Sequence, residues 1–148
     1  HLAMEFLKNE SAYDAELFID GDISMFGKVF GVDAVIFSVV DKWEKQGLGI
    51  ETHIRYLVKS TKTNEILFEK KCDLYLDLQV QSGQSSALGV LMELAASAIM
   101  TATTDHIVAA RKCNRYVFSD FPRGQYNPNF GLDKDVKASE PNVRISVK

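Results

Sequence analysis

The sequence predicts an α/β (α+β) domain in which an antiparallel-rich mixed sheet, built on a three-stranded meander, packs against helices. Three observations carry that expectation. Val32 to Trp43 is dense in β-branched and aromatic residues, and Gly49 to Lys59 and Ile66 to Val80 alternate with the two-residue period of strands. Leu88 to Ala102 instead repeats apolar residues at helical spacing.

Along the chain, a short helical stretch at Met4 to Lys8 and an irregular Asn9-Glu10-Ser11 precede an apolar patch at Leu17-Phe18-Ile19. Asp20-Gly21-Asp22 then offers helix-capping oxygens, and Ile23, Phe26, Val29 and Phe30 follow at helical spacing. Gly31 sits where a left-handed C-cap belongs, so a two-turn helix is expected to end there. Apolar side chains on both faces from Ala34 to Val40 predict a central strand covered on both sides.

In the next strand Ile50, Thr52, Ile54, Tyr56 and Val58 share one face, and Glu51, His53, Arg55, Leu57 and Lys59 share the other, which is expected to be wet. Ser60 to Glu65 has turn composition. The third strand closes a hairpin, with Ile66, Phe68, Cys72, Leu74, Leu76 and Leu78 on one face.

A serine-rich break follows, and Leu88, Leu91, Leu94, Ala95, Ala98, Ile99 and Ala102 trace a broad helical stripe. One long helix is expected to run on through Ile107, Val108 and Arg111. Its small residues permit close approach, so the stripe reads as core first and as a dimer seam second, with Leu88, Leu91, Leu94 and Ala98 as the seam. Residues 1–132 thus read as one α/β domain and residues 133–148 as a polar tail, in which Val136, Val143, Ile145 and Val147 either add an edge strand or stay mobile.

The totals exclude several classes of function. A net charge of -3 and a pI near 5.6 argue against a nucleic-acid partner, which needs a concentrated basic surface. Cys72 and Cys113 have no CxxC partner and no histidine at ligand spacing. Two such thiols pair in an oxidising compartment or serve as small buried hydrophobes, and burial is the plainer reading. The apolar run Ala87 to Thr104 is interrupted by Glu93 and suits packed helices better than a bilayer. His1-Leu2-Ala3 reads as an appended scar or as a start inside a longer domain.

Chemistry is equally thin. There is no Gly-x-Ser-x-Gly elbow and no GxGxxG, and Phe26-Gly27-Lys28 lacks the rest of a phosphate loop. His53 falls on a strand's polar face and His106 beside Asp105 in a helix, so neither forms a dyad locally. Asp20 with Asp22 reads as capping, and Asp73 with Asp77 as a strand's exposed face. The expectation is therefore no catalytic residue, no metal and no cofactor. Trp43, Phe121, Pro122, Arg123 and Tyr126 are the candidate contacts for a ligand or partner, although Phe121, Tyr126 and Phe130 read more readily as aromatic staples for the tail.

The stretch Met25 to Val40, MFGKVFGVDAVIFSVV, with the Trp-containing strand, the hairpin, the small-residue helix and SDFPRGQYNPNFG, resembles a lipoprotein family of Gram-negative bacteria without assigned function. That family is typified by a genome-derived Neisseria antigen, and the resemblance covers about residues 2–131. It implies a fold like the N-terminal domain of TolB, a lipidated cysteine upstream of this chain, and residence at the periplasmic face of a membrane, namely the outer one. It further implies a homodimer, with other envelope lipoproteins as partners, in an accessory transport or assembly role without enzymatic activity. Family members carry an upstream strand and helix that this chain lacks, and their glycine-rich turn before the long helix is reduced here to Gly83. The expected function is a non-enzymatic binding or scaffold domain; the alternative is a small-ligand-binding periplasmic carrier.

Overall fold

The computed structural model describes residues 16–81, 83, 86–137 and 139–147. The helical stretch expected at Met4 to Lys8 lies outside them. The elements in order are α1 (Leu17–Asp20), α2 (Ser24–Phe30), β1 (Ala34–Gln46), β2 (Gly49–Ser60), β3 (Ile66–Asp77), α3 (Ala87–Thr103), α4 (His106–Val117) and β4 (Asn142–Val147). The strands form one four-stranded sheet in the order β1-β2-β3-β4. The short connections after β1 and β2 can join only antiparallel neighbours, whereas β4 returns parallel to β3 after the two helices. In that ladder Cys72 stands opposite Val143 and Leu74 opposite Ile145. The result is a mixed α+β fold with a mostly antiparallel sheet, and the last segment of the polar tail is its parallel edge.

Two compact units divide the chain, His1–Val39 with Tyr56–Glu69 and Val40–Arg55 with Lys70–Lys148. In the first, the Asp22 carboxylate accepts from the backbone and hydroxyl of Ser24 at 2.8 and 3.0 Å and starts α2. Gly31, at φ 67°, ends it in the left-handed conformation with its N–H on the Gly27 carbonyl. Phe26 packs edge-on against Phe18 at 5.2 Å. Lys59 is only 5% exposed, and its ammonium donates to the carbonyls of Ile19 (2.9 Å) and Gly21 (2.5 Å) at the end of α1. A cation is stabilised there because the last carbonyls of a helix lack partners.

In the second unit Ile50, Ile54, Cys72, Leu74 and Leu76 of the sheet and Ala109, Cys113 and Val117 of α4 are all buried. The four-residue spacing of the last three sets them on one helix face. Lys70 shares the inward parity of Cys72 and Leu74 and is 2% exposed; its ammonium lies 2.6 and 2.8 Å from the two Asp120 oxygens and 2.6 Å from the Ser139 hydroxyl.

Three sequence expectations are corrected. β1 is an edge strand rather than a central one, and Ile36 and Val40 stand 55% and 46% exposed. β2 takes the interior place: its second face is half-open only at Glu51, His53 and Arg55, and Leu57 to Ser60 are buried outright. The long helix is two helices meeting at 77°, because the Asp105 carboxylate accepts from the Ile107 N–H and starts a new helix where one continuous helix was expected. No single helix among the described residues is long and apolar enough to cross a membrane.

Candidate functional site

α3 buries the opposite face from the one its apolar stripe suggests. Gly89, Ser97 and Thr101 are its buried residues. The Ser97 hydroxyl accepts from the Val80 N–H at 2.9 Å and donates to the Glu93 carbonyl at 2.7 Å, and the Thr101 hydroxyl donates to the Ser97 carbonyl at 3.0 Å. Small, internally satisfied residues let the helix backbone come close. Outward stand Leu88, Leu91, Met92, Leu94, Ile99 and Met100, each 45–69% exposed, with Ala98 exposed among them. The core-first expectation for this stripe is therefore overturned, and all four proposed seam residues lie at the surface. The reason is that α3 is apolar nearly all round, so periodicity could not choose its inner face, and residue size did.

The Lys45 ammonium caps the other end of α3 by donating to the Ala102 carbonyl at 2.6 Å. Next to it, Trp43 lies with its ring centroid 5.6 Å from that of His106, the first residue of α4. Trp43 is thus closed on one side by an imidazole and 36% exposed on the other. The tail aromatics divide: Phe121 packs edge-on against Phe118 at 5.6 Å, whereas Tyr126 and Phe130 are 93% and 59% exposed and staple nothing. Pro122 and Arg123 are exposed, and the Arg123 backbone N–H is tied to Asp133 at 2.7 Å.

A polar array crosses the sheet one strand at a time. Lys42 of β1 donates to Glu51 of β2 at 2.6 Å, and the other Glu51 oxygen lies 3.0 Å from His53 Nε2. His53 Nδ1 is 3.9 Å from Asp73 of β3, and Arg144 of β4 approaches the second Asp73 oxygen at 3.5 Å. Lys42 draws the Glu51 carboxyl below its usual range and Glu51 pushes the Lys42 ammonium up. Glu51, His53, Asp73 and Arg144 floor an open concavity of about 550 Å³ that Tyr75 and Ser146 also line. His53 is flanked by two carboxylates that each hold a cation, so the array balances charge across the strands and presents no activated nucleophile. Alternation had placed Glu51 and His53 on one face, but the cross-strand partners Asp73 and Arg144 depend on register and on β4. The described residues hold no cluster of histidine, cysteine and acidic side chains suited to a metal ion.

The fold and these surfaces define an α+β domain with an exposed apolar helix face and a charge-balanced sheet face. Among solved structures, the lipoprotein GNA1162 from Neisseria meningitidis is similar, with 70% of each chain covered, 16% identity and a TM-score of 0.45. No protein-family model matches the chain. Nor does any curated protein match it.

Proposed function

We propose that this chain is a non-enzymatic binding or scaffold domain that pairs with a second copy through α3. The carrying observation is the outward row of Leu88, Leu91, Met92, Leu94, Ile99 and Met100. Contiguous apolar surface of that kind is costly in water and marks an interaction site. A second copy is the occupant, because a helix that is apolar along its whole outer face is self-complementary about a two-fold axis. The resemblance of Met25 to Val40 and Ser119 to Gly131 to the Gram-negative lipoprotein family supports an envelope setting, a TolB-like fold and a lipid anchor upstream of this chain. In that setting the domain serves a transport or assembly complex, alongside other envelope lipoproteins.

The carrier alternative draws less support. Trp43 is engaged with His106, and Tyr126 and Phe130 project into solvent instead of lining a pocket.

Light scattering across a dilution series tests the pairing. The wild type is expected at twice 16.6 kDa and Leu91→Asp at 16.6 kDa with an unchanged circular dichroism spectrum. A wild type at 16.6 kDa throughout removes self-association, and flotation of that monomer with liposomes would reassign the α3 face to lipid. Palmitate incorporation by the full-length precursor tests the anchor.

A further inference from the structure

Cys72 of β3 and Cys113 of α4 are both fully buried free cysteines, at 0% exposure. They come from elements joined by a helical crossover, yet their thiols face into the same core close enough to act on each other's ionisation. Each sits on the inward face of its element, Cys72 beside Leu74 and Cys113 one turn from Ala109 and Val117. Two neighbouring buried thiols, with no metal-binding cluster among the described residues, have one covalent option that leaves the core dry.

We propose that Cys72 and Cys113 form a disulfide that staples α4 to β3 when the chain folds under oxidising conditions. The reaction is thiol–disulfide exchange with a disulfide oxidant, either a protein disulfide or oxidised glutathione. One protein thiolate attacks an oxidant sulfur and expels a thiolate, giving a mixed disulfide. The second cysteine gives up its proton, attacks the bonded protein sulfur and expels the remaining oxidant thiolate. In sum two protein thiols lose two protons and two electrons, and the oxidant is reduced to two thiols.

Complete burial fixes when this happens. Neither sulfur is open to a reagent in the folded protein, so exchange takes place before α4 covers β3, and the redox state set during folding is then retained. The inference goes beyond the pairing proposal and rests on a contact within one chain, so loss of self-association leaves it standing.

The test is refolding of the 148-residue chain from reducing denaturant, once into a glutathione redox buffer and once into reductant alone. The oxidised product is expected to have lost the mass of two hydrogens, to yield a tryptic peptide pair joined through Cys72 and Cys113, and to melt about 10 °C above the reduced form. Since the two forms differ by two hydrogens, no buried side chain is truncated in the comparison. Recovery of two titratable thiols or of glutathione adducts from the oxidising arm overturns the proposal. So does a linked form that melts below the reduced one.

Discussion

Lys70 and Asp120 form a pair 50 residues apart in which the ammonium is almost wholly buried and the carboxylate is only partly so, their side chains being 3% and 17% exposed. That asymmetry governs what each substitution does. Asp120→Asn takes a facing negative charge away from a buried ammonium and is expected to cost about 3–5 kcal/mol. Lys70→Met removes the charge that needed compensation and is expected to cost less, as urea unfolding of the two variants will show.

The same pair sets an acid limb. Lys70, with help from the Ser139 N–H, holds the Asp120 carboxyl well below the usual carboxylate range. A carboxyl depressed in the folded state binds fewer protons than it does unfolded, so its stabilisation is complete above the unfolded value of about 3.9 and fades as pH falls toward the folded one. Unfolding free energy should therefore decline below about pH 4 in the wild type, with a shallower decline in Lys70→Met.

Thr52 is fully buried between Ile50 and Ile54, and its hydroxyl has no hydrogen-bond partner among the described residues. Thr52→Val removes the unsatisfied oxygen while keeping the branched shape. The expected outcome is a gain of about 1 kcal/mol, read as a higher urea midpoint at constant slope.

Two glycines should respond differently to alanine. A Cβ at Gly49 would collide with the Leu76 carbonyl oxygen and lie 2.7 Å from the Tyr75 ring, so Gly49→Ala is expected to cost at least about 2 kcal/mol. A Cβ at Gly31 meets open space, and Gly31→Ala carries only the left-handed strain of about 1–2 kcal/mol. Thermal melts that rank them in the other order would contradict this account.

Lys59→Met strips the carbonyls ending α1 of their donor. Bonds to a charged group are worth about 1.5–3 kcal/mol, and a loss in that range is expected, with faster hydrogen exchange around α1.

What the sequence disclosed follows the range of the forces involved. α2 was legible to the residue at its end, since Asp22 and Gly31 act on backbone within a few positions. The hairpin between β2 and β3 was legible for the same reason, with Ser60 accepting from the N–H groups of Lys62 and Thr63. β1 was misplaced because strand order is a long-range property: apolar side chains on both faces suited a central strand, but β1 has a neighbour on only one side in the sheet. Lys70 carried the inward parity in plain view, yet its charge hid it and its partner lies far along the chain. The array from Lys42 to Arg144 was half visible, because alternation assigns a face and says nothing of which strands adjoin.

The parallel seam between β3 and β4 also orders events in time. Lys70 and Ser139, at the mouth of that seam, are 69 residues apart, whereas the hairpins close over a handful. Long closures are slow, so the meander zips first and β4 arrives last, after both crossover helices have formed. Until then β3 offers a bare edge whose register, Cys72 against Val143, is met equally well by the β4 of another molecule. Crowded refolding therefore favours exchange of the last strand between chains, and dilute refolding favours closure within one.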